Sequence, residues 1–174
     1  MKLNLSLILI LLLAFTLSLN SCGAIAKGHA KKHFTEKEDA IPPEFGKFDN
    51  QVLLIVLKKR SSYDKYVKSA AKRYLGKYEF ITYDKIESEK YKDKTIYRYV
   101  FDYDEGTSRT VYYSGNSQFH TPPSSSTIIF KQFYVRDRFT NKQYKCGYES
   151  AYFGKALKAY MENLELKRSS TVKI

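Results

Sequence analysis

Two segments hold the residue types from which covalent catalysis is built. Ser117 and His120 fall in a loop, Ser114-Gly-Asn-Ser-Gln-Phe-His-Thr-Pro-Pro-Ser-Ser-Ser126, that has no apolar periodicity. A serine hydroxyl becomes a nucleophile when a neighbouring imidazole takes its proton, so acyl transfer is the chemistry this pair offers. Gly115-Asn-Ser-Gln-Phe119 lacks the second glycine of the G-x-S-x-G elbow, and it stands between two expected antiparallel strands, not at a strand-to-helix turn. Cys146 with His120 is the thiolate counterpart, yet the residues around Cys146 carry none of the signatures of cysteine hydrolases. Its strand setting suits a buried small hydrophobe better. Ser117, His120 and Cys146 are thus the catalytic candidates of an alternative reading, a small hydrolase. His29 and His33 stand four apart without a third spaced ligand, so no metal site is expected. No cofactor is expected either.

Charge is more informative. The chain of 174 residues holds 30 Lys and Arg against 18 Asp and Glu, a net of +12. Between Lys58 and Lys77 lie Lys58, Lys59, Arg60, Lys65, Lys68, Lys72, Arg73 and Lys77 against Asp64 alone, a local net of +7. Lys65, Lys68 and Lys72 fall at i, i+3 and i+7, so on a helix they project as one stripe. Lys58, Lys59, Arg60, Lys65, Lys68 and Lys72 are the candidate binding residues, suited to phosphates or carboxylates of a polyanion. The plainer reading is a solvated helix face, since surface charge serves solubility as readily as binding. Lysine in place of arginine favours diffuse attraction over bidentate recognition.

Which polyanion such a stripe meets depends on compartment, and the N-terminus speaks to that. Lys2 precedes an uncharged run from Leu5 to Leu19, the basic-then-apolar pattern of a secretory signal. At 15 residues the run is short for a permanent span, which needs roughly 20. Leu19-Asn20-Ser21-Cys22-Gly23 closes it and resembles the lipobox of bacterial lipoproteins, with Asn20 departing from the small residue usual there. The resemblance covers about the first 23 residues. It implies cleavage before Cys22, a diacylglycerol on the Cys22 thiol and acylation of the new amine. Two or three buried chains make such an anchor effectively permanent, at ~0.8 kcal/mol per CH₂. No Asp follows Cys22 directly and no acidic cluster lies just beyond it. By the sorting rules of that family this implies the periplasmic face of the outer membrane. Nucleic acid, the usual partner of a basic chain, is then excluded, and anionic lipids, glycans and envelope proteins take its place. With Cys22 lipidated, Cys146 has no partner for an internal disulfide.

These residues need a scaffold. Residues 22–48 mix Lys27, Lys31 and Lys32 with Glu36, Glu38, Asp39 and Pro42-Pro43, and read as a lipidated cysteine followed by a flexible tether. Gln51–Leu57 is a continuous apolar run, the mark of a strand buried on both faces. Tyr63, Tyr66, Val67, Ala70, Ala71, Tyr74 and Leu75 recur at helical spacing and predict a helix over about 62–75, begun by a serine cap and ended at Gly76. Glu79–Tyr83 reads as a second strand, giving an opening βαβ unit. Alternation predicts a strand over 95–103, Asp104-Glu-Gly106 a hairpin turn, and Arg109–Tyr113 the returning strand. Strands at 127–135 and 143–146 follow, then a helix from about Ser150 with Phe153, Ala156, Leu157, Tyr160, Met161 and Leu164 inward.

The order predicts an α+β two-layer sandwich, a mostly antiparallel sheet of about 5–6 strands with two helices on one face. The division expected is signal peptide 1–21, tether 22–48, a single domain 49–166 and a tail 167–174. The leading function is a non-enzymatic, membrane-anchored envelope lipoprotein that binds a partner protein or anionic envelope material. The alternatives are a small periplasmic hydrolase using the 114–126 loop, or a structural subunit of an envelope assembly.

Overall fold

The computed structural model describes residues 21–114 and 122–171, with side chains of its first helix from Ala24 onward. The apolar run at 51–57 forms β1 (Leu53–Val56), four residues all buried. A strand buried on both faces must be flanked and covered on both, and this one is. β2 (Tyr78–Ile81) and β3 (Tyr99–Tyr113) pair with it in parallel, β4 (Ser124–Asp137) pairs antiparallel with β3, and β5 (Gln143–Tyr144) antiparallel with β4. The order is β2-β1-β3-β4-β5. The fold is therefore α+β as expected, but the five-stranded sheet is mixed and not mostly antiparallel, because β1 lies between two parallel neighbours.

Three helices, not two, stand among the described residues: α1 (Ser21–His33), α2 (Ser61–Ala71) and α3 (Phe153–Thr171). All contribute to one core on one side of the sheet. Leu53 and Ile55, Tyr99, Phe101 and Tyr103, and Phe133 and Val135 meet Phe34 of α1's end, Val67, Ala70 and Ala71 of α2, and Leu157, Tyr160 and Leu164 of α3. α2 is one turn shorter than the periodicity suggests. It ends at Ala71, Tyr74 stays buried just beyond it, and Leu75 is exposed. No serine side chain caps its start, since the cap position is Arg60.

The largest departure is at residues 22–48. Instead of a flexible tether, α1 docks on α3, and the chain beyond it buries Ala40, Ile41 and Phe45. Lys27 and Lys31 reach Glu162 at 2.5 and 2.6 Å. Asn163 donates to the carbonyls of Lys31 and Phe34, at 2.8 and 2.6 Å, satisfying acceptors that a helix end leaves without partners. Burial alone would push the Glu162 carboxyl up, but the two ammonium groups hold it below its ordinary value. The expected tail also differs, since residues 167–171 continue α3.

The sheet's second face is covered by residues 83–97, which hold only two short 3₁₀ turns (Tyr83–Lys85 and Glu89–Tyr91). Ile86 and Tyr91 pack there on Leu54, Val56, Ile81 and Val100. Arg138 pins this segment from beneath. Its guanidinium donates to the carbonyls of Tyr91 (2.6 Å), Tyr97 (3.0 Å) and Ile86 (3.1 Å) and to Glu87 (3.2 Å). Beside it, Arg98 grips Asp137 at 2.8–3.1 Å. Burial pushes the Asp137 carboxyl up, but that grip and the Phe139 amide outweigh it and hold the group low.

Beyond the core, β3 and β4 continue together as a two-stranded arm. The Asp104-Glu-Gly106 segment is no hairpin turn: β3 passes straight through it, with a register shift between Glu105 and Ser108. Gly106 leaves room there for the carboxylate of Glu149, which a Cβ would push aside. That carboxylate accepts from the Thr107 amide (2.8 Å) and hydroxyl (2.6 Å), bracing the base of the arm.

Replacing Arg138 with methionine leaves three buried carbonyls without their donor. Arg138→Met is expected to cost about 3 kcal/mol, read as a lowered urea midpoint. Amide exchange should rise first across 86–97.

Candidate functional site

The lipobox residues Leu19 and Asn20 lie outside the described residues, and Cys22 lies in the first turn of α1. Lys27 and Lys31 meet Glu162, Lys31 and Phe34 meet Asn163, and the Phe34 ring packs on Tyr160 at 4.6 Å, so α1 and its end sit on one turn of α3. Just beyond α1, Lys167 meets Glu36 at 2.6 Å. α2 runs parallel to α3, since its Tyr63 packs on Phe153 with ring centres 4.9 Å apart while Leu75 donates to Glu165 at 2.9 Å. α2 and α3 therefore begin toward the same end of the domain. It is the end at which β1 hands over to α2 and β3 leaves the core as the arm.

The six candidate binding cations fall into two groups. Lys58 and Arg60 are committed to carboxylates. Lys58 lies 3.2 Å from Asp102 and 3.6 Å from Asp104, above the Tyr103 ring, and Arg60 lies 3.0 Å from Glu105. Lys59 is exposed, with a backbone φ of 59°. Lys65, Lys68 and Lys72 are exposed along α2 and its cap, and among the described residues none forms an ion pair. They line one shallow groove with Ser61, Asp64 and Ser69. Asp64 turns away from them to accept the Lys58 backbone amide at 3.1 Å.

Ser117 and His120 lie outside the described residues. Cys146 does not resemble an activated nucleophile. It is buried in the helix-side core, and that burial pushes its thiol above the ordinary value, away from the thiolate. His29 and His33 stack with Tyr148, the His33 ring lying 4.8 Å from the Tyr148 ring and nearly parallel to it. They pack; among the described residues no group of three metal-ligating side chains forms.

Sequence reasoning missed a polar network at the base of the arm. Asp102, buried on the face opposite the helices, accepts from Tyr134 (3.1 Å) and pairs with Lys58, while Lys145 reaches Asp104 at 3.2 Å. Lys131, almost wholly buried, pairs with Glu105 at 3.0 Å and lies over the Tyr63 ring. Burial raises the Asp102 carboxyl, and Lys58 pulls it back part of the way. Strand alternation was the available signal, since Asp102 and Asp104 occupy every second position among aromatics. The adjoining hollow is walled by Lys58, Arg60, Tyr103, Asp104 and Glu105, without Asp102. Each of those charges already has a counter-charge, so the network ties β1, β3, β4 and α2 together and offers no free acid or base.

A second hollow, about 200 Å³, lies between Phe45, Tyr74, Tyr99 and Arg168. The buried Tyr99 hydroxyl and Gln51 side-chain carbonyl oxygen, both on residues of its wall, have no hydrogen-bond partner among the described residues. Sites for small organic ligands run roughly 300–1,000 Å³, so this one suits ordered water.

The chain matches no protein-family model and no curated protein. Among the described residues no helix is long and apolar enough to cross a membrane.

A buried thiol with a raised pKa has a direct readout. Cys146 is expected to stay unreactive toward Ellman's reagent at pH 8 in the folded protein and to react fully once urea unfolds it. Rapid labelling of the native protein would instead mark an accessible thiolate.

Proposed function

We propose that the protein is a non-enzymatic lipoprotein of the bacterial envelope, tethered through Cys22 at the periplasmic face of the outer membrane, whose α2 surface binds anionic envelope material. The observation that supports the binding reading is the contrast between two sets of cations. Lys58, Arg60 and Lys131 are held by carboxylates, whereas Lys65, Lys68 and Lys72 are exposed side by side and unpaired among the described residues. Exposed lysines that already hold partners would have to break them before meeting a polyanion. These three do not. Their point charges on flexible stems suit phosphates or carboxylates presented in a repeating, diffuse array.

The tether rests on the resemblance of Leu19-Asn-Ser-Cys22 to a lipobox. Docking of α1 on α3 adds a consequence to it. With so little slack between Cys22 and the domain, the anchor holds the domain close to the bilayer in one orientation, with no free swing. The fold is that of a two-layer sandwich in its helix-bearing half, where three helices and the sheet enclose one core.

Two measurements test this reading. Intact mass of the natively expressed chain is expected to show a product beginning at Cys22 with a diacylglycerol adduct, absent in Cys22→Ala; an unmodified chain in the soluble fraction overturns the tether. For the binding face, the detergent-solubilised full chain is titrated with heparin as a soluble polyanion. Each lysine beside an anionic surface contributes on the order of 1 kcal/mol, so Lys65→Glu, Lys68→Glu and Lys72→Glu together should weaken binding roughly 100-fold or more. Added salt should weaken the native chain as well. Unchanged affinity in the triple variant overturns the binding face.

A further inference from the structure

Among the described residues, the arm of β3 and β4 beyond Glu105 and Lys131 covers no other element. Its pairs run from Ser108 opposite Ile129 to Tyr113 opposite Ser124, and nearly every residue on it is exposed. Its strands extend about 27 Å from Glu105 to Tyr113, at ~3.4 Å per residue. Both faces carry apolar groups. One presents Tyr113, Val111 and Ile128, and the other Tyr112 (81% exposed) and Ile129 (43% exposed), with Thr110 and Thr127 joined by a 3.1 Å hydrogen bond between them.

Composition sets this arm apart. From Gly106 to Phe130 the sequence holds one charged residue, Arg109, where 28% charged composition would place about seven. Among the described residues, lysine is absent from the one element that protrudes, where Arg109 is the single charge. The arm leaves the domain at the end where α2 and α3 begin and where Lys59 and Lys65 are exposed. An aromatic and hydroxyl-bearing projection with one cation on it and two exposed lysines at the end it leaves complements one kind of surface, an anionic bilayer. Lysines meet headgroup phosphates, and tyrosine rings settle where one side is apolar and the other wet.

We propose that the arm lies in the interfacial zone of the membrane to which the chain is tethered, with Tyr112 and Ile129 of one face turned toward the acyl chains and Tyr113, Arg109 and Ile128 of the other among the headgroups. This rests on the Cys22 anchor, which α1, docked on α3, holds beside the domain. The depth follows from hydrogen bonding. A two-stranded ribbon has two open edges of unpaired backbone groups, which hydrocarbon does not tolerate, so the arm lies among the headgroups and does not span. Serines and threonines along it then meet phosphate and glycerol oxygens.

The chain contains no tryptophan, so a single introduced indole reports alone. The full chain carrying Tyr112→Trp is reconstituted into phosphatidylethanolamine–phosphatidylglycerol vesicles whose acyl chains are brominated near the glycerol. The expected result is a blue-shifted emission quenched by the bromine, while Leu75→Trp, exposed just beyond the far end of α2, stays unquenched. The mass of Cys22 in the same sample separates the two readings. A lipidated Tyr112→Trp chain whose emission stays that of an exposed indole overturns the arm proposal and leaves the tether standing. An unlipidated chain that is quenched on adding vesicles sustains the arm and overturns the tether. A blue shift that appears without lipid and grows with protein concentration overturns the membrane as occupant in favour of a second copy.

Discussion

The second face of the sheet is sealed by a segment with almost no regular structure of its own, and the Arg138 guanidinium makes that possible. β1 is apolar on both faces, so leaving one uncovered would expose Leu54 and Val56 beside Val100. Residues 83–97 supply Ile86 and Tyr91 as a lid, but short 3₁₀ turns leave carbonyls unsatisfied. A buried acceptor without a donor costs about as much as a hydrogen bond. One planar group with its donors splayed in a fork meets three of those carbonyls at once, two through one nitrogen and one through the other, a geometry that the single nitrogen of a lysine does not reproduce. The adjacent Arg98–Asp137 grip holds the start of β3 against the end of β4, where Arg138 follows directly. The mixed sheet is thus covered on one side by helices and on the other by a lid held through its backbone.

The opposite end of the sheet is organised by charge. Asp102 and Lys131 point into regions that apolar side chains would otherwise fill, and each is paired: Asp102 with Lys58 and Tyr134, Lys131 with Glu105. Taking such charges out of water is costly, and a mere pair rarely repays it. What they add here is register. Lys58 fixes the end of β1 against β3, Arg60 and Lys131 share Glu105, and the Glu149 carboxylate beside Gly106 accepts from Thr107. Together these contacts set where the arm begins.

How much of this was legible follows from what each signal measures. β1 and the face of α2 were readable because burial on both sides, or along one stripe, leaves a period in the apolar residues. The parallel pairing of β1 with β3 was not, because it is a property of partners far apart in sequence. α1 was hidden since Ala30 and Phe34 are its few deeply buried residues, and what holds the rest, Glu162 and Asn163, lies some 130 residues away. The lid was hidden for the same reason. Asp104-Glu-Gly106 misled because the glycine sits at a register shift inside a continuous strand and not at a turn. Of the candidate binding residues, spacing grouped Lys65, Lys68 and Lys72 correctly on one face, yet it could not tell them from Lys58 and Arg60. The carboxylates that occupy the latter arrive from β3.

That distinction bears on how the molecule meets its surroundings. A chain with a net charge of +12 repels its own copies at long range, and an arm whose one charge is Arg109 is where that repulsion is weakest. Open ribbon edges are ordinarily a liability, since they template pairing with another chain. Natural proteins blunt such edges with lysine, the residue this chain uses freely elsewhere and omits from the arm. The omission is costly unless the edges are occupied by something that accepts hydrogen bonds and tolerates tyrosine and isoleucine. A headgroup layer does both in the proposed arrangement, with Lys59 and Lys65 exposed at the end from which the arm leaves. In that arrangement the positive charge that hinders association with another copy draws this end toward an anionic bilayer.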